Sequence, residues 1–175
     1  MKMLCWRQQL DWRHLLNLAT PLDVHRDTVD ADWVDYNGHM NVAYYVLVFD
    51  HATDALLDHI GLDDSHRDAT AQSVFVAEAH VTYDNEVMEG DHLRVTTQVL
   101  DCDAKRMHVF HRMYVDGSDE IVATNELMIL SVDLAARKVA PMAADIAADL
   151  AALKTAHDTL DRPAQAGRTI GIRRG

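Results

Sequence analysis

The run Asp35-Tyr36-Asn37-Gly38-His39-Met40-Asn41 puts a carboxylate and an imidazole into a tight Asn-Gly turn, and the apolar stretch from Val42 to Phe49 begins directly after it. A helix that starts here presents unpaired backbone N–H groups and the positive end of its dipole, which together hold developing negative charge. An acid beside such a site suits acyl-group chemistry: the carboxylate attacks a carbonyl carbon or activates the water that does. Asp35 also has a plainer use, because an Asp in a turn commonly satisfies backbone amides. His39 can orient the loop or hydrogen-bond near a reacting group, Asn41 is first an N-cap, and Tyr45 reads as core with a hydroxyl within reach of the loop.

These residues need a helix behind them and a sheet around it. The helix runs from Asn41 to about Ile60, with Gly61 where a C-terminal cap is wanted. It is apolar nearly all round at first, then amphipathic, with Asp50, Asp54 and Asp58 on one row. Leu22 to Asp30 reads as a strand before the loop, and residues 8–19 as a short helix ended by Pro21. After a polar loop from Asp63 to Gln72 the period becomes alternating. Segments 73–83, 93–102, 106–115 and 121–132 are rich in Val, Thr, Tyr, Phe and Ile and are joined by short turns, which predicts four strands in an antiparallel meander. Residues 142–160 form a closing helix. The expected class is α+β, an antiparallel sheet curled around a long central helix, with an N-terminal extension at 1–21, one domain at 22–160 and a basic, flexible tail at 161–175.

The chain has 175 residues, 49% hydrophobic and 25% charged, enough for one domain with a real core. No segment approaches a membrane span, and the N-terminal residues lack a signal-peptide core, so a soluble cytoplasmic protein is expected. Cys5 and Cys102 show no CxxC spacing and argue against disulfides or a zinc-cysteine site. A net charge of −12 argues against a nucleic-acid-binding role, because phosphate contacts need a basic face. The tail opposes that sign, since Arg162, Arg168, Arg173 and Arg174 stand against Asp161 alone. Arg168, Arg173 and Arg174 are therefore candidates for a phosphorylated ligand.

Eleven histidines raise the question of a metal. His108 and His111 lie three apart on a strand and point to opposite faces. His51 with Asp54 or Asp58 makes a possible ligand row, but exposed acidic rows are usually just solvated, and no metal is expected. On the strand from Ser73 to Tyr83, Glu78 and His80 alternate with Val74, Val76 and Thr82. Either two ionisable groups mark a half-buried site, or this is a solvent-facing strand at a sheet edge.

The loop resembles that of the hotdog-fold acyl-CoA thioesterases of the 4-hydroxybenzoyl-CoA thioesterase type, in which a strand leads into Asp-x-x-Gly-His-x-Asn and then the central helix. Asp35, Gly38, His39 and Asn41 supply the match, with Tyr45 and Ala52 following, and the order of elements agrees from about residue 22 to 133. A narrower likeness, carried by Trp33–Met40, Phe49–Leu56 and Val95–Leu100, is to thioesterases of carnitine degradation, found alone or fused to L-carnitine dehydrogenase. The resemblance implies an acyl-CoA thioesterase, cofactor-free, hydrolysing betainyl-CoA. It implies Asp35 as the catalytic acid, the Val42 N–H as oxyanion donor, and a site completed at a subunit interface of a homodimer or homotetramer. For a trimethylammonium acyl group, Trp33, Tyr36 and Glu78 are the expected contacts. The other reading is a non-catalytic acyl-CoA or acyl-carrier binding module.

Overall fold

Alternating apolar residues build the sheet, and the computed structural model describes it within residues 18–172. Its strands are β1 (Leu22–Thr28), β2 (Gln72–Tyr83), β3 (His92–Cys102), β4 (Arg106–Val115), β5 (Ile121–Asp133) and the two-residue β6 (Lys138–Val139). All pairs are antiparallel, in the order β1-β3-β4-β5-β2, with β6 on β5. Helix α1 (Val42–His59) lies across the concave face and buries Tyr45, Val48, Phe49, Ala52, Leu56 and Leu57. The short α2 (Asp64–Thr70) follows it, and α3 (Ala144–His157) closes one end of the core through Ile146, Leu150 and Leu153. The architecture is the hotdog arrangement expected from the sequence.

Three departures carry information. Only β3, β4 and β5 form a meander, because the connection from β2 is an eight-residue crossover, residues 84–91, rather than a hairpin. Beside β3, the place expected for β2 is taken by β1, and β2 becomes the far edge. Residues 63–72, expected as loop, contain α2, whose start is capped by Asp63 accepting from the His66 N–H at 2.8 Å. The tail is not loose over its first part: Pro163 is buried, Gln98 donates to the Asp161 carbonyl at 3.3 Å, and Glu126 accepts from the Gly167 N–H at 2.7 Å. The helix expected over 8–19 falls almost wholly outside the described residues, as do Arg173 and Arg174.

Two buried histidines tie helices to the sheet as neutral rings. Thr53 Oγ1 donates to the Phe49 carbonyl at 2.9 Å, so it accepts from His111 Nε2 at 3.1 Å, which leaves Nδ1 to accept from the Thr97 hydroxyl at 2.9 Å. Burial pushes the His111 pKa down to about 3. His157 accepts from the Val99 N–H at 2.9 Å and donates to the Ala19 carbonyl at 3.0 Å, and burial lowers its pKa as well.

Candidate active site

The loop before α1 is closed by its own backbone. Val34 and Met40 form an isolated bridge, the Asp35 N–H donates to the His39 carbonyl at 3.0 Å, and the Asn41 N–H donates to the Trp33 carbonyl at 2.9 Å. At the tip, the Gly38 N–H donates to the Asp35 carbonyl at 2.9 Å with Gly38 at φ +84°, a conformation that disfavours any side chain. The crossover docks underneath, where the Met40 N–H donates to the carbonyl of the fully buried Val87 at 2.8 Å.

This frame sets the carboxylate. Asp35 Oδ1 accepts from the Asn37 N–H at 2.8 Å, so the ordinary turn role is real. Oδ2 accepts nothing among the described residues and stays available for chemistry. Asn41 caps α1 by accepting from the Ala43 N–H at 3.0 Å. The Val42 N–H, one position earlier, has no intrahelical acceptor, and Val42 itself is exposed, so this N–H remains open at the positive end of an 18-residue helix. One free carboxylate oxygen and one open N–H on the same loop-helix junction are the two groups that acyl transfer requires.

Around them, the Trp33 ring stacks on Tyr44 with centroids 5.2 Å apart at 11°, while Tyr36 projects from the tip, 97% exposed. His39 Nε2 pairs with Glu86 Oε2 at 3.0 Å. Sequence reasoning missed Glu86, which lies 47 positions from His39 in a polar stretch without periodicity, and only the docking of the crossover brings it to the loop. Tyr45 is buried and its hydroxyl donates to the Asn85 carbonyl at 3.3 Å, with burial raising its pKa. It braces the crossover beneath the loop.

Glu78 is placed elsewhere. A bulge between Val76 and Glu78 reverses the alternation of β2, so Val74 and Val76 face α1 while Glu78, His80 and Thr82 face the opposite side of the sheet, the last two opposite Glu126 and Thr124. The shared face expected from the sequence does not exist, because the alternation rule holds only without an inserted residue. Glu78 also lies five residues, about 17 Å, back along β2 from Tyr83, the strand end nearest the loop. Arg168 is exposed on the tail, directly after Gly167, whose N–H donates to Glu126.

Comparison with known proteins now decides the family. The thioesterase-like superfamily pattern matches residues 29–150. The chain belongs to that superfamily. It is 44% identical to the betainyl-CoA thioesterase of Pseudomonas aeruginosa over 155 residues, covering 89% of this chain and 98% of that one. A crystal structure from Pseudomonas putida KT2440 is similar at TM-score 0.78 and 42% identity, covering 89% of this superfamily member and 99% of the other protein. The Staphylococcus aureus protein SAV2348, solved in complex with CoA, is similar at TM-score 0.82 and 27% identity, covering 90% and 99%.

Proposed function

We propose that this chain hydrolyses betainyl-CoA to betaine and free CoA. The observation that carries the reading is the 44% identity to a betainyl-CoA thioesterase along almost the whole of both chains, with Asp35 Oδ2 and the Val42 N–H open at one junction. Asp35 either adds to the thioester carbonyl, expelling CoA as thiolate and leaving a mixed anhydride for water to cleave, or takes a proton from the attacking water. In both routes the carbonyl oxygen becomes an oxyanion that accepts from the Val42 N–H. The trimethylammonium head cannot hydrogen-bond, so aromatic faces and a nearby anion must replace its hydration. Tyr36 and the open face of Trp33 offer the former. Glu86 takes the role of anion within the protomer, and Glu78 enters only across a subunit interface.

The working unit in this reading is at least a dimer. Edge strand β2 exposes Val76 on the side facing α1, and α1 exposes Val46 and Leu47 next to it, with an apolar groove of about 410 Å³ between them. An unpaired twelve-residue edge beside an apolar helix face suits an isologous pairing. No helix among the described residues is long and apolar enough to cross a membrane, and a CoA thioester suits the expected cytoplasmic setting. Thiol release should be measured across acetyl-, butyryl- and betainyl-CoA. Fastest turnover on betainyl-CoA supports the reading, preference for an uncharged acyl group removes the substrate, and binding without thiol release leaves a non-catalytic acyl-CoA module.

A further inference from the structure

Away from the loop, β1 and α1 bring together three groups that no part of the acyl chemistry uses. His25 and Asp27 are two apart on β1 and therefore share a face, and His51 of α1 stands over them. Asp27 Oδ1 is held by the Thr28 N–H at 2.8 Å, which turns Oδ2 towards both rings. Oδ2 lies 3.5 Å from His51 Nδ1 and 3.8 Å from His25 Nε2, and the two rings meet edge to face with centroids 5.9 Å apart. The three donor atoms all fall within 4.8 Å of one another. His25 Nε2 is buried yet makes no hydrogen bond, an arrangement that costs free energy unless another species fills it.

We infer that His25, Asp27 and His51 form a binding site for a zinc-class divalent cation that clamps β1 to α1. Tetrahedral zinc with bonds of about 2.0–2.2 Å sets its ligand atoms about 3.3 Å apart, so the two contacts to Asp27 are already near the required spacing and the two ring nitrogens need close by at most about 1.5 Å. Two imidazoles and one carboxylate suit zinc or cobalt, whereas calcium and magnesium prefer an all-oxygen shell. Side chains are 15%, 24% and 43% exposed for His25, Asp27 and His51, so one side of the site opens to solvent for access and for a water as fourth ligand. His51 lies nine residues beyond Val42, about 14 Å along the helix, which makes the cation a structural clamp rather than a participant at the thioester.

Co2+ titrated into the chelator-treated full chain tests this. One equivalent per chain should bind with the intense visible absorption of a low-coordinate site, Zn2+ should displace it, and Zn2+ should raise the thermal midpoint. His51→Ala alters a half-exposed side chain and should stay folded by circular dichroism, while weakening binding at least ~100-fold and losing the midpoint shift; Asp27→Asn should act in the same direction. Only weak absorption typical of hydrated Co2+, or equal binding by the native chain and His51→Ala, overturns the site.

Discussion

At the residue scale, the division of labour within one carboxylate is the central point: Asp35 Oδ1 shapes the turn and Oδ2 is left for chemistry. Asp35→Asn keeps an oxygen for the Asn37 N–H but loses the anion, so the loop should survive while kcat falls at least ~100-fold. A folded Asp35→Asn chain hydrolysing thioesters at the native rate would show that another group is the acid. Glu86→Gln should lower kcat/KM for betainyl-CoA by about 1–3 kcal/mol and affect acetyl-CoA much less, since only one substrate carries the cation. Equal losses on both would mean that Glu86 acts by holding His39. The loop was readable because its signal is local, from the Asn-Gly turn to the cap at Asn41. Glu86 was not, because a contact between distant segments leaves no mark on spacing, and Glu78 was misplaced because a bulge adds a residue without a signature in the side chains.

At the scale of elements, α1 and α3 are tied to the sheet through two histidines whose burial opposes a charged ring. His111 has an ordinary value of 6.5 when unfolded and about 3 when folded. The unfolded chain therefore binds a proton that the folded one refuses. The stabilisation is complete above pH 6.5 and is lost as pH falls towards about 3, at up to about 1.4 kcal/mol per pH unit for this one ring. His157 adds in the same direction. Ring NMR signals of His111 should stay unchanged between about pH 7 and pH 5, where an exposed histidine titrates; a midpoint near 6.5 for His111 would refute the buried neutral ring. Periodicity located α1 and five of the six strands to within about two residues. It did not order them, since the partner of β2 is decided by the crossover and by β1 taking the free side of β3, both long-range matters.

At the scale of the whole molecule, the two sides of the sheet are unequal. Edge strand β2 is long and flanked by apolar side chains, and Val46→Glu, on the exposed side of α1, should shift a dimer towards monomer in size-exclusion chromatography while leaving the monomer's circular dichroism intact. Dimer elution unchanged by Val46→Glu would place the subunit contact elsewhere. The basic tail is pinned at Gly167, so Arg168→Ala should raise KM with kcat held if it meets the CoA phosphates, and leave both unaltered if it does not. The opposite edge is built differently. Strand β1 is seven residues long, is interrupted by a bulge between Asp23 and His25, and carries the Asp23–Arg26 ion pair with Arg94 close by. Charge and irregularity of that kind repel a further strand. A subunit with one receptive edge and one refusing edge has a valency of one, so addition through β2 uses up both receptive edges at once. In the proposed pairing, such a chain dimerises through its sheet and offers no second receptive edge to a further copy, so β1 sets the limit on growth.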